Sequence, residues 1–554
     1  MDTPDSKAFH RLIRRNKHEP KDANSKVIKN ENEEEVMNPE EQSRIFADYY
    51  EKLAVPSNEE HYDEDYLEES KYRLDRSISP NKLSLFNNIM QTGEIPKVFK
   101  TGILTPVHRK GKDSTLPTNY RGITVTSALG KVFEYALLDK MLDLNSNQSD
   151  LQFGFTQGLS PIMAALIVSE GTVHAKQQNL NMFLATLDSQ KAFDVVHHMI
   201  LMEKLFYKLP ADIWRVVQDL YSNMSSTIKW NSHLSKQFSI NQRVRQGGVL
   251  STHLYKLYIN ELPEELERRW LGLNTGLEYC GSPLCADDIV LMTTDETEIQ
   301  AMLNIAYKFS CQHRYNIHPG KSTLIKTERI KTSKQQHPIT LGEKPIKEDQ
   351  QTTHLGIIRA SKNETKLNIQ EHVSVARRTL YTLIPVGLNG QEGLNPITAY
   401  KIYQAYVLPR LLYGLEVSLN ATQMSDLKQF HLKTLRCFQS LPIRTSSAAV
   451  YMLLGAFPIE AELHKIQLSL LYSILASENT KLKNVMERQM TVNAGNSDSF
   501  FSRAQEILNF YYLPSIAEFK EHLPYKSVGK KILTGALLIS GQTSYIKKWK
   551  KNPH

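Results

Sequence analysis

Cysteine is scarce in this chain: there are four in 554 residues, at Cys280, Cys285, Cys311 and Cys437. Their spacing offers neither the paired CxxC of a zinc site nor a disulfide framework, and it points to a reducing, intracellular setting. Long apolar runs are lacking too. No stretch approaches the roughly 18 consecutive apolar residues of a membrane-crossing helix, so no membrane partner is expected. The opening, "MDTPDSKAFHRLIRRNK", is polar and basic and does not read as a secretory signal. Internal repeats and extended low-complexity tracts are also missing.

What is there can build several cores, since 41% of the residues are apolar. The net charge of +8 hides an uneven distribution. Residues 31–70 hold 15 acidic and 2 basic residues, and the rest of the chain carries 65 basic against 44 acidic. A basic body with an acidic segment near its start fits a polyanionic partner, nucleic acid first. Lysines and arginines that merely solvate helices would give the same count.

Residues 1–83 read as an acidic, partly disordered leader or connector with one helix in "NPEEQSRIFADYYEKL". From 84 to 360 strand-like and helix-like pieces alternate. "NMFLATLD" is a short strand and "KAFDVVHHMILMEKLFYKL" a helix, while "CGSPLCADDIVLMTT" reads as two strands folded about its aspartates. Asp295, three residues before Glu298, makes a capping box for a helix whose apolar stripe is Ile299, Met302, Leu303, Ala306 and Phe309. Residues 361–480 read as helices only, with a kink or break at Pro409. The tail, 481–554, has no role that the sequence assigns. An α/β or α+β region followed by helices is the expected class.

The adjacent pair Asp287–Asp288 raises the chemical question. Apolar "PLCA" and "IVLM" on either side bury the hairpin and leave two anions at its tip, a costly arrangement unless a cation sits there. Asp188 ends the apolar strand "FLATLD" and supplies a third carboxylate. Strand-end carboxylates can share two divalent ions, and hard oxygen ligands favour Mg²⁺ over zinc. A pair of such ions suits phosphoryl transfer. Asp194, nearby, reads as structural.

Two further stretches suit a nucleotide. "VRQGGVLSTHLYKLYINEL" sets Gln246, Gly247 and Gly248 before a helix, and "HRKGKDSTLPTNYRGITVTS" gathers Arg109, Lys110, Lys112 and Arg121 about a turn fit for phosphate oxygens. Taken alone, the first is equally a glycine-containing helix start and the second a basic surface loop.

In order along residues 95–360, "NYRGITVTSALGKVFE", "QFGFTQGLSP", "LDSQKAFDVVHH", "RQGGVLS", "CADD", "NIHPGKSTL" and "THLGI" resemble a reverse transcriptase of the non-LTR, LINE-like retrotransposon class. The resemblance implies a right-hand polymerase fold: fingers and palm with an antiparallel sheet, then a helical thumb and a C-terminal helical region. It implies RNA-directed DNA synthesis with an RNA template, a DNA primer, dNTPs and two Mg²⁺ ions, Mn²⁺ being an alternative. Asp188, Asp287 and Asp288 match the metal-binding aspartates. Phe193 matches the residue that excludes a ribose 2′-hydroxyl, or is a core aromatic. Gln246 and Gly247 match the pair beside the incoming nucleotide, and Arg121 and Lys110 the triphosphate contacts. Lys321 matches a lysine suspected of protonating pyrophosphate, or is a surface lysine. Arg377 and Arg378 are candidates for nucleic-acid backbone contacts, a solvated helix face being the alternative.

The chain departs from the family pattern in three places. Cys285 stands where an aromatic usually precedes "ADD", Thr252 stands where proline usually follows "LS", and the "GPDG"-like segment that opens the fingers has no counterpart in a short 70–95 connection. No endonuclease is expected. The competing readings are an inactive remnant that binds RNA or an RNA–DNA hybrid, and another palm polymerase such as an intron maturase or an RNA-dependent RNA polymerase. Localisation to nucleus and cytoplasm is implied by the resemblance alone.

Overall fold

The computed structural model describes residues 27–30, 32–54, 88–144, 148–329, 338–390, 393–418, 423–492 and 498–525. Most of the 70–95 connection therefore lies outside the described residues.

The acidic segment holds more structure than a leader would. Helix α1 (Pro39–Ala54) buries Phe46 and Tyr50 completely in the main core. Phe46 packs on Tyr120 and Trp230 with ring centroids 5.0 and 4.5 Å apart, and the Trp230 indole N–H donates to Gln42 at 2.9 Å. The helix expected in this stretch forms at residues 39–54, and it packs into the main core instead of standing apart from it. Its apolar face is short, and the surrounding glutamates mask it in composition.

Strands β1 (Thr101–His108) and β2 (Tyr120–Val125) form an antiparallel hairpin, pairing Val107 with Arg121. Helix α2 (Pro161–Gln177) precedes β3 (Met182–Asp188), and α3 (His198–Phe206) follows it. The expected helix from Lys191 starts seven residues late. Lys191 is left-handed at φ 51°, and Ala192–Asp194 form a single 3₁₀ turn. β1 pairs in parallel with β4 (Met224–Trp230). Helix α4 (Ser251–Ile259) leads on to the hairpin of β5 (Leu284–Cys285) and β6 (Asp288–Thr293).

Helix α5 (Glu296–Gln312) begins as its sequence predicts, Asp295 accepting from the Glu298 N–H at 2.9 Å. The Glu298 side chain turns instead to the Gly272 N–H, so the reciprocal half of the box is replaced. β7 (Thr323–Thr327) and β8 (Lys347–Glu348) complete a five-stranded sheet in the order β5-β6-β3-β7-β8, and β9 (Gln351–His354) and β10 (Ile357–Ala360) form a separate hairpin.

β3 is apolar along its length because both of its faces are covered. Phe183, Ala185 and Leu187 face the core that contains the α5 stripe, while Met182 and Leu184 face the core that contains Met163–Val168 of α2. β6 alternates in the same way, Ile289 and Leu291 against Val290 and Met292.

Beyond Ala360 the described elements are helical: α6 (Glu364–Leu383), α7 (Pro396–Tyr406), α8 (Leu408–Leu412), α9 (Ser425–Phe438), α10 (Ile459–Leu475), α11 (Thr480–Val492) and α12 (Phe500–Phe510) among them. The break between α7 and α8 falls at Val407, with Pro409 in the first turn of α8, where a missing N–H costs nothing. Helices α11 and α12 belong to the core around α2: Leu482, Val485, Phe500 and Phe501 are fully buried in it.

Candidate active site

The sheet brings the carboxylates together. β6 runs antiparallel to β3 with Asp288 opposite Asp188, and Asp287 stands in the turn just before. Ala286, next in the turn, has a left-handed φ of 60°, a conformation that costs a residue with a Cβ about 1–2 kcal/mol.

Burial raises the Asp287 carboxyl above its usual range; the Asp188 charge adds to this and Arg121 opposes it. Asp288 is exposed to solvent, although partial desolvation still acts on its carboxyl. Burial first, then Asp287 and Asp188, push it up to about 6. The charged forms of Asp287 and Asp288 are thus disfavoured, the condition a bound cation relieves. Asp188 meets a cation already, with the Lys321 ammonium 3.4 Å from Oδ2. Its backbone is pinned as well: its N–H donates to Ser322 Oγ at 3.1 Å and its carbonyl accepts from the His318 N–H at 2.9 Å.

Among the described residues no three acidic, histidine or cysteine side chains stand close enough to hold an ion as they are. The donor set nonetheless fits divalent cations of the kind reverse transcriptases use: carboxylate oxygens, mutual repulsion, and a lysine ammonium standing in beside one of them. Cys285 is buried, and its thiol is pushed up to about 11 by burial and then by the two aspartates. A thiol is a soft ligand, poorly matched to the hard cations that carboxylates take.

Phe193 rides on the 3₁₀ turn beside the aspartates' sheet, stacked on Tyr255 of α4 at 4.8 Å and 15°. Phe155 meets it edge-on at 6.1 Å. Asp194 points the other way: it is buried, paired with Arg243 at 3.2 Å, and accepts from the Gln246 amide at 3.3 Å. The Gln246 carbonyl in turn accepts the Thr124 N–H at 2.7 Å, which ties this loop to β2. Gly247 has φ 112°, and a Cβ there would come within 2.7 Å of the Thr124 carbonyl, so only glycine fits.

Arg121 is exposed on β2 and near enough to Asp287 to act on its charge. Lys110 is not brought to the carboxylates in this way. It is exposed in the hairpin turn, two residues past the end of β1, and its side chain makes no hydrogen bond or ion pair among the described residues. Arg377 and Arg378 are both exposed on α6, and Arg378 pairs with Glu371 at 3.1 Å.

One contact to the aspartate turn carried no signal of its own in the sequence. Gln152, in the quoted "QFGF", is fully buried and accepts the Ala286 N–H at 3.1 Å. The partner is a backbone group 134 residues away, which no side-chain pattern announces.

Residues 107–358 match the family model "Reverse transcriptase (RNA-dependent DNA polymerase)". The chain is 25% identical over 345 residues to the probable RNA-directed DNA polymerase from transposon X-element of Drosophila melanogaster, covering 60% of this chain and 37% of that one. The RNA-directed DNA polymerase from mobile element jockey of the same fly is 24% identical over 403 residues, covering 70% and 42%. A Pol polyprotein from the type-1 retrotransposable element R2 of Nasonia vitripennis is 23% identical over 379 residues, covering 65% and 35%. The chain thus spans about two fifths of the length of these relatives or less. Among solved structures, apo telomerase from Candida Tropicalis aligns over 85% of this chain and 73% of its own at 10% identity, with a TM-score of 0.37. Residues 107–358 are a reverse transcriptase domain, and its relatives are the RNA-directed DNA polymerases of non-LTR retrotransposons.

Proposed function

We propose that this chain is the RNA-directed DNA polymerase of a retrotransposon, extending a DNA primer on an RNA template with dNTPs. The observation that carries this reading is the opposition of Asp188 and Asp288 at the ends of two buried, paired strands, with Asp287 in the adjoining turn. In the reaction a bond forms between the primer 3′-oxygen and the α-phosphorus of the dNTP. The bond from that phosphorus to the β-phosphate bridge breaks, and pyrophosphate leaves with the electron pair.

In this reading Asp188 and Asp287, with Asp288 beside them, hold two divalent ions, Mg²⁺ before Mn²⁺. Such ions lower the pKa of a hydroxyl and neutralise charge on the departing phosphates. Arg121 contacts the triphosphate, with Lys110 at the outer end of the same hairpin. Gln246 and Gly247 border the base and sugar, and Phe193 lies against the sugar edge. Lys321 is assigned the proton for pyrophosphate, supported by its ammonium 3.4 Å from Asp188. For the nucleic-acid backbone Arg377 is the better candidate of the helical pair, because Glu371 already engages Arg378.

The test is dNTP incorporation on a primed RNA template with Mg²⁺, beside Asp287→Ala. A loss of about 10²–10³-fold or more in the variant is expected. Primer–template binding without any synthesis by the wild-type chain would replace this reading with that of a non-catalytic nucleic-acid-binding protein.

A further inference from the structure

The segment Leu151–Gly154 contributes no acid, base or cation, yet each of its residues meets the aspartate hairpin. The Leu284 N–H donates to the Leu151 carbonyl and the Phe153 N–H to the Leu284 carbonyl, both at 2.8 Å. The Gln152 side-chain carbonyl accepts two backbone N–H groups, from Ala286 at 3.1 Å and from Gly154 at 3.0 Å. Gly154 lies so close that a Cβ on it would come within 2.3 Å of the Ala286 nitrogen.

The far side of this segment is fastened as well. The Gln148 amide donates to the Gln152 backbone carbonyl at 3.1 Å, and Lys256 of α4, itself buried, donates to Gln148 Oε1 at 3.0 Å. Gln152 is therefore held by its backbone towards α4, the helix after Gln246–Gly247, and reaches with its side chain to the residue before the aspartates.

We propose that Gln152 is a positioning residue for metal binding: by holding the left-handed Ala286 it fixes the direction in which Asp287 and Asp288 leave the turn. The inference rests on the polymerase reading for its purpose, but its geometry stands apart from it. Groups that orient metal ligands typically cost 10–100-fold in metal affinity or activity when removed. A purely packing role would instead move stability and leave the affinity of the folded protein alone.

The experiment measures Mn²⁺ binding to the full chain by electron paramagnetic resonance, without primer or dNTP, for wild type and Gln152→Met. Methionine nearly keeps the volume and removes the acceptor. Melting temperature, primer–template affinity and dNTP addition are read on the same samples. Mn²⁺ affinity is expected to fall about tenfold and addition about 10–100-fold, with primer–template affinity within about twofold of wild type. Gln152→Asn withdraws the amide by one methylene at less risk to folding, and it should show the same pattern; it decides the matter if Gln152→Met does not fold. Unchanged Mn²⁺ affinity in a folded variant overturns the proposal, whatever happens to the rate, and so does a wild-type chain that binds no Mn²⁺. A wild-type chain that binds Mn²⁺ and loses it in the variant, yet never adds a nucleotide, keeps the positioning role and overturns the polymerase reading.

Discussion

Phe193 and Asp194 are neighbours in sequence with opposite duties, and the 3₁₀ turn they share separates them. Asp194 turns inward to Arg243 and Gln246. Phe193 stays half-buried, its ring held flat on Tyr255. A ring fixed in this way can refuse an extra hydroxyl, whereas a loose one would move aside. Phe193→Val should therefore raise ribonucleotide use relative to deoxynucleotide use by roughly 10–200-fold, the worth of a small change in pocket volume. Comparing kcat/KM for a dNTP with that for its ribonucleotide decides it; a ratio equal to wild type would reduce Phe193 to a core aromatic. That the three aspartates come together was legible in the sequence, because each stands at the end of an apolar strand or in the turn beside one. Gln152 was not, because an amide that braces a backbone N–H looks like any polar residue in a loop.

At the scale of elements, one buried carboxylate joins α2 to the C-terminal helices. Glu170 is 1% exposed, and burial raises its carboxyl above the usual range. The Phe500 N–H reaches it at 2.7 Å and the Ser499 hydroxyl at 2.9 Å, so it caps the start of α12, and the Gln489 amide reaches it from α11. Glu170→Ala would take this acceptor from the buried Phe500 N–H and Ser499 hydroxyl, at about 1–3 kcal/mol for each that finds no water. Residues 498–521 should then exchange amide hydrogens much faster while β3 and β6 keep their protection. Equal loss in both regions would mean that the seam is not a separate unit. The strands and the α5 stripe were legible because burial on one or both faces imposes a period on the sequence. The seam was not, since it depends on Glu170 meeting Phe500 across more than 300 residues. Helix α1 was legible as a helix, but its packing into the main core was not, since its few apolar residues are diluted by acidic ones.

Over the whole molecule, several histidines are buried and held neutral, which sets how the fold meets acid. His431 is a clear case: it is fully buried, with Tyr403 Oη 2.8 Å from Nδ1 and the Phe457 carbonyl 3.0 Å from Nε2. Burial pushes its pKa down to about 4, and His198 likewise falls to about 4. A folded pKa below the unfolded value means that the unfolded chain takes up the proton first. The stabilisation is thus complete above about pH 6.5 and is lost as pH falls towards 4. At pH 5 each such group would cost roughly 1–2 kcal/mol relative to pH 7.5. Glu416 works in the opposite sense. Burial raises it to about 7, so its contribution is present at low pH and fades as pH rises through 7. The overall pH curve therefore mixes both signs, and the informative quantity is a difference between two chains. His431→Gln keeps a donor and an acceptor but cannot titrate. It should be less stable than wild type at pH 7.5, and the gap should narrow by roughly 1–2 kcal/mol at pH 5. Urea unfolding followed by circular dichroism at both pH values measures that gap. A constant gap would show that His431 takes up its proton in the folded state as readily as in the unfolded one, and that the Tyr403–His431–Phe457 contacts do not depend on a neutral ring.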